Sequence, residues 1–276
     1  MDSTTAIVIA VAVVAVIGLL CAVMLTVASK FMAVEVDERI PMVRECLPGA
    51  NCGACGFAGC DGYAAALVED PELSVSLCVP GGATASANIG KVLGREAGDV
   101  AKQVAEVRCS GTCDATSVKM DYKGLEGCAA AKLLFGGTGQ CVYGCIGLGD
   151  CARVCPVGAI HINGGLARVD ASVCIGCGLC AKTCPNGVIA IRPADAHMVV
   201  DCNSRQKGAG TRKSCSAGCI GCRLCEKNCH TGAITVTDNL ASIDYAKCDG
   251  CGKCIEVCKA GCLVALNISG AKVVNG

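Results

Sequence analysis

The sequence predicts an α+β protein with a single amino-terminal transmembrane helix, a small cysteine- and glycine-rich domain, and two tandem modules built on repeated cysteine runs. Three observations predict it. No charged side chain occurs between Ser3 and Ser29. The 276 residues include 28 cysteines. The spacing C-x2-C-x2-C-x3-C at Cys174, Cys177, Cys180 and Cys184 returns 74 residues later at Cys248, Cys251, Cys254 and Cys258.

The amino-terminal helix is a length argument. Ala6 to Ala28 is an uninterrupted run dominated by Val, Ile, Ala and Leu. At ~1.5 Å per residue it reaches about 34 Å, enough for a hydrocarbon core of ~30 Å. A cleaved signal peptide would have a basic start and a shorter apolar run, whereas this chain begins Met1-Asp2-Ser3. Lys30, Arg39 and Arg44 follow the run and no Lys or Arg precedes it. The excess of basic residues then puts the carboxyl-terminal side in the cytoplasm, with a single pass through the cell membrane. Cys21, inside the run, reads as a small apolar residue.

The cysteine spacing sets the chemistry. Cysteines two residues apart, three times in succession, converge on one point, which is metal-ligand geometry rather than disulfide geometry. Zinc sites also use C-x2-C pairs, but they join two such pairs across a spacer and seldom need triplets. A C-x2-C-x2-C-x3-C run is the ligand pattern of bacterial ferredoxins, where the fourth cysteine serves the neighbouring [4Fe-4S] cluster. Thiolates of this kind require a reducing compartment, in agreement with the cytoplasmic side.

The first cysteine unit lies at residues 46–82. Cys52, Cys55, Cys60 and Cys78 are expected to hold one cluster, with glycines letting the backbone turn closely round it. A helix is expected from Asp61 to Glu69, and another over Asn88 to Val107. Cys109, Cys113 and Cys128 form an irregular trio, and a cluster there would need a borrowed fourth ligand.

The tandem modules come next. In the second, Cys219, Cys222 and Cys225 are expected to bind with Cys258, and Cys248, Cys251 and Cys254 with Cys229. In the first, Cys174, Cys177 and Cys180 pair with Cys155. Its other site offers Cys145, Cys151 and Cys184, but Leu148 stands where a cysteine is due; Cys141 is the expected substitute, the alternative being a three-iron cluster or a non-cysteine ligand. Short strands are expected at Ala233–Val236 and Leu263–Leu266. The domain limits that follow are 1–30 anchor, 31–90 Cys/Gly domain, 91–140 connector, 141–195 and 196–276 ferredoxin-like modules. Cys46, Cys109, Cys113, Cys128, Cys202, Cys215 and Cys262 receive no ligand role from spacing.

Charge is uneven. Residues 30–100 carry 5 basic and 10 acidic side chains, and residues 141–276 carry 14 and 9. The loop Arg205 to Lys213 is locally basic, suited to steering an acidic electron carrier or simply to facing solvent. Gly147 to Ala152 fits G-x-G-x-x-A but lies inside a cysteine run, which argues against nucleotide binding. There is no P-loop, the three histidines are isolated, and nothing points to nucleic acid.

The order of elements is more specific than the ferredoxin runs. An anchor, then CGACGFAGCDGYAAAL and CVPGG, then ferredoxin modules resembles the B subunit of the Rnf complex, in the longer form with doubled ferredoxin modules. The resemblance implies an electron-transfer subunit of a membrane-bound ferredoxin:NAD+ oxidoreductase that exports sodium or protons. Its implied partners are soluble ferredoxin and the other membrane and peripheral subunits. This chain would relay electrons through [4Fe-4S] clusters, five in number, or six if the irregular trio takes part. It would perform no substrate chemistry and have no catalytic residue of its own. The alternative is the electron-transfer subunit of another membrane redox enzyme, of hydrogenase or formate dehydrogenase type. A third reading is a zinc-stabilised scaffold.

Overall fold

The computed structural model describes residues 3–31, 37–267 and 272. Helix α1 (Ser3–Phe31) includes a 24-residue apolar stretch, Ile7–Lys30. Its Val, Ile and Leu side chains stand exposed in the chain by itself: Val8, Leu19 and Leu25 all lie open. A helix with no charge before Lys30 and with its apolar side chains exposed suits a lipid environment, where apolar surface has no reason to fold back on protein.

Three short helices build the next unit: α2 (Arg39–Glu45), α3 (Cys60–Glu69) and α4 (Gly82–Leu93). Val43, Tyr63, Leu67 and Ile89 form its buried centre. The Tyr63 hydroxyl donates to the Ser74 carbonyl at 2.8 Å and accepts from Leu77 N–H at 3.3 Å, so this large ring is buried with its polar end satisfied. Arg95 donates to the carbonyls of Leu67, Asp70 and Leu73, satisfying acceptors that the end of α3 leaves open.

The helix expected over Asn88–Val107 is not continuous. Helix α4 stops at Gly94, whose φ of +65° forms a left-handed cap. The chain then becomes strand β1 (Gln103–Val107), with Val104, Ala105 and Val107 buried. Pairing with a partner strand, and burial on both faces, override the helical pattern.

Each module is a pair of two-stranded antiparallel ladders with short helices between them. The first contains α5 (Cys128–Lys132), α6 (Asp150–Arg153), β2 (Ile160–Asn163), β3 (Leu166–Val169), α7 (Leu179–Thr183) and β4 (Ile189–Pro193). The second contains β5 (Met198–Val200), α8 (Gly208–Ser214), α9 (Leu224–Lys227), β6 (Ile234–Thr237), β7 (Leu240–Ile243), α10 (Lys253–Glu256) and β8 (Leu263–Ala265). Hairpins β2–β3 and β6–β7 coincide under the offset of 74. The other ladder joins the ends of each module, β1 to β4 and β5 to β8. Thus β1, from the stretch assigned to the connector, completes the sheet of the first module.

The modules are joined through buried charge. Arg192 on β4 pairs with Glu106 on β1 at 3.1 Å, and Lys272 reaches Glu106 at 2.9 Å and Asp201 at 2.7 Å. Removing one member of a buried charge set leaves the others uncompensated, which costs about 3–5 kcal/mol. Arg192→Met is therefore expected to destabilise the protein by about 3 kcal/mol. Its urea-unfolding midpoint, followed anaerobically by circular dichroism, should fall clearly below that of the unaltered chain.

Candidate metal centres

Beyond α1 and α2, cysteine thiols gather in groups of four, and none of the 28 is in a disulfide. In the first unit, burial pushes the Cys78 thiol up, and repulsion from Cys60, Cys55 and Cys52 adds to it. The four expected residues thus lie together. Asn51, at a φ of +46°, accepts the Cys60 N–H on its Oδ1 at 2.8 Å and ties the loop to the start of α3.

In the first module, Cys155 and Cys174 lie against Cys177, and Cys180 lies against both Cys174 and Cys177. Burial raises the Cys180 thiol to about 12. Backbone N–H groups meet these sulfurs: Ala105 N–H donates to Cys174 Sγ and Ala159 N–H to Cys155 Sγ, both at 3.3 Å.

The second set of this module departs from expectation. Burial raises Cys151 to about 11, and the thiols crowding it are Cys145, Cys128 and Cys184. The same four line one small pocket. Cys128 therefore fills the position left by Leu148, and Cys141 does not. The cause lies in α5: the Asp150 carboxylate accepts the Ala129 N–H at 2.9 Å, pinning the start of that helix, and hence Cys128, beside Cys151. Asp150 immediately precedes Cys151, so one side chain positions a thiol 22 residues upstream. Cys141 lies instead beside Cys109, Cys202 and Cys215. Of the irregular trio, Cys113 is exposed with its S–H directed at the Gly164 carbonyl, and it joins no group among the described residues.

In the second module, Cys225 lies with Cys219, Cys258 and Cys222. Cys254 lies with Cys248 and Cys251. Cys229 packs against the same core, its thiol held below the ordinary value by Thr231 Oγ1 at 3.5 Å. Cys262 is a buried fifth thiol beside the first of these sets, 3.6 Å from Cys258 Sγ. Hydrogen bonding with Cys262 lowers Cys258 to about 5 and Cys219 to about 6, while Cys262 itself moves strongly upward. The one Cys262 S–H can serve only one of these two sulfurs at a time. His230 Nδ1 lies 3.8 Å from Cys251 Sγ, with Asp249 bound to its other nitrogen at 2.9 Å.

The donor chemistry fits iron–sulfur clusters. Groups of four thiols face N–H donors, and tight glycine turns leave no room for side chains. Gly147, at φ +81°, shows this best: a Cβ there would meet the Gly165 carbonyl oxygen at 2.2 Å. That contact lets the Cys145–Cys151 loop lie against the β2–β3 turn. Gly221 has the same relation to Asn239 in the second module.

Two outcomes follow. Cys128→Ala should lower bound iron by about four atoms per chain, and adding Leu148→Cys should restore it, because 148 corresponds to Cys222. Gly147→Val should also lose about four atoms while leaving the second module loaded. Iron and acid-labile sulfide analysis of anaerobically prepared protein checks both.

Comparison with known proteins finds iron–sulfur segments in three regions of the chain. Residues 47–80 match the family model described as "Putative Fe-S cluster". Residues 167–190 match a 4Fe-4S binding domain, and residues 218–262 a 4Fe-4S dicluster domain. The chain is 43% identical to the B subunit of the proton-translocating ferredoxin:NAD(+) oxidoreductase complex of Clostridium ljungdahlii, over 91% of this chain and 89% of that protein. It is 40% identical to the B subunit of the Na(+)-translocating ferredoxin:NAD(+) oxidoreductase complex of Acetobacterium woodii, over 94% of this chain and 78% of that protein. It is also 40% identical to the B subunit of the ion-translocating oxidoreductase complex of Methanosarcina acetivorans, over 90% of this chain and 94% of that protein. With a Cys/Gly unit ahead of two ferredoxin modules, and likeness of this extent, the chain belongs to the family of Rnf complex B subunits.

Proposed function

We propose that this protein is the electron relay of an ion-translocating ferredoxin:NAD+ oxidoreductase. It takes electrons from reduced ferredoxin and passes them through [4Fe-4S] clusters to partner subunits at the membrane. The observation that carries this reading is the adjacency of the cysteine sets. Cys52 of the first unit repels Cys177 of the first module, and Lys182 Nζ donates to the Gly53 carbonyl at 3.3 Å across the same junction. Cys151 repels Cys180, joining the two sets of the first module, and Cys225 repels Cys254 in the second. Neighbouring sets this close favour passing single electrons along a line of centres.

The ligand sets follow from those groups. They are Cys52, Cys55, Cys60 and Cys78; Cys155, Cys174, Cys177 and Cys180; Cys128, Cys145, Cys151 and Cys184; Cys219, Cys222, Cys225 and Cys258; and Cys229, Cys248, Cys251 and Cys254. When bound, the clusters supply the one-electron chemistry, and the chain sets their surroundings. The backbone N–H groups that meet Cys155 and Cys174 favour added negative charge on those sulfurs, and a Cys262 S–H directed at Cys258 does the same there. The apolar core excludes water round the buried thiols.

The line has a direction. Its amino end adjoins the unit that follows α1, which we assign to the membrane with the modules on the cytoplasmic side. Its carboxyl end carries the exposed Cys222 and Cys251, in a region, residues 141–276, where 14 basic side chains outnumber 9 acidic ones. An acidic soluble carrier is served best at that end.

The test is direct reduction. Reduced ferredoxin added anaerobically to the detergent-solubilised chain should bleach its iron–sulfur absorption and produce reduced-cluster EPR signals. Clusters that remain oxidised, or a colourless zinc protein, would overturn the relay.

A further inference from the structure

The five sets fall in two stretches of the chain. Three lie between Cys52 and Cys184 and two between Cys219 and Cys258. A further group of thiols belongs to none of them: Cys109, Cys141, Cys202 and Cys215. Cys141 and Cys215 both lie near Cys109, and Cys202 and Cys215 lie near Cys141. All four line one pocket between the modules.

The group is assembled with internal symmetry. Cys109 stands two residues beyond the end of β1, and Cys202 two beyond the end of β5. Gly111 N–H donates to Cys109 Sγ at 3.4 Å, and Ser204 N–H to Cys202 Sγ at 3.4 Å. Cys145 N–H donates to Cys109 Sγ at 3.5 Å, and its equivalent under the offset of 74, Cys219 N–H, faces Cys202. Cys141 and Cys215 are related by the same offset, and they meet the N–H groups of Tyr143 and Ala217, again 74 apart. Each module therefore contributes two thiols and the amides that address them. Two glycines keep the centre open: a Cβ at Gly111 would lie 3.3 Å from Cys109 Sγ and 3.9 Å from Cys215 Sγ, and one at Gly144 3.7 Å from Cys109 Sγ.

The walls are held by bonds that cross the module boundary. Thr116 Oγ1 donates to the Ser214 carbonyl at 2.7 Å, Ser216 N–H to the Ala115 carbonyl at 2.9 Å, and Ser110 Oγ to Asp201 Oδ2 at 3.0 Å. Asn203 Nδ2 donates to the Asn186 carbonyl at 3.1 Å.

We propose that Cys109, Cys141, Cys202 and Cys215 hold a sixth [4Fe-4S] cluster, bound half by each module, that completes the path between them. None of the three matched family segments contains any of these residues. Its ligands contact the adjoining sets on both sides, through Cys145 and through Cys219. A redox-inert zinc ion at this place would interrupt the line of centres.

The experiment uses the full chain, solubilised and loaded with iron and sulfide under anaerobic conditions. Iron, sulfide and zinc are measured on the unaltered protein, on Cys141→Ala/Cys215→Ala, which removes one thiol from each module, and on Cys113→Ala. The expected result is about 24 iron and 24 sulfide in the unaltered protein and in Cys113→Ala, and about 20 of each in the double variant. About 20 iron in both the unaltered protein and the double variant would overturn the site. So would one zinc per chain that the double variant loses. Should the double variant unfold and shed further iron, the unaltered protein's own iron and zinc content decides. Reduction by ferredoxin is scored separately, so a relay of five clusters with an empty sixth site is distinguishable from failure of the relay.

Discussion

Crowded thiols govern this fold. Burial opposes ionisation of several of these thiols, and the neighbouring sulfurs oppose it further. Cys151, Cys180, Cys225 and Cys254 are all raised to about 11 or 12 by that combination. Such an arrangement has little to hold it together until a cationic core replaces the protons. Folding and cluster loading are therefore one process, and loading must release protons. The chain has three Phe, four Tyr and no Trp, so aromatic burial contributes little elsewhere. The two module cores illustrate the dependence, because the cysteines themselves are among their buried members.

The remaining architecture serves to aim sulfurs. Hairpins β2–β3 and β6–β7 press their turns against the cysteine loops, and glycines at 147 and 221 permit the approach. Ladders β1–β4 and β5–β8 end two residues short of Cys109 and Cys202. Buried Arg192, Glu106, Asp201 and Lys272 tie those ladders together. The ionic cluster thus stabilises the boundary at which two of the cysteine-bearing strands meet.

Much of this is legible in the sequence, because the offset of 74 carries local geometry without change. Both hairpins, α6 with α9, and the start of β4 with that of β8 obey it. The anchor is legible from length and composition. What escapes the sequence is anything decided at long range. Asn88–Val107 reads as helical because the pairing strand 80-odd residues away lies outside the local pattern, and Gly94 within it ends the helix. Cys128 maps onto Cys202 under the offset, yet its structural role is that of Cys222. The true counterpart of Cys202 is Cys109, displaced by insertion of the α5 segment. One signal is present: Asp150, adjacent to a ligand and acidic, is the residue that caps α5 and brings Cys128 in.

The borrowed strand and borrowed thiol also set an order of assembly. The second module draws every strand and every relay thiol from residues after 196, so it is complete as soon as its own segment has left the ribosome. The first module needs β1 and Cys128, which emerge early, and then Cys184 and β4, which emerge more than 50 residues later. Its cluster pocket near Cys128 stays open throughout that interval. Synthesis of this protein thus passes through a stage in which reduced, unpaired thiols await both the rest of the chain and their metal. A cell making it has reason to keep iron–sulfur delivery close to translation.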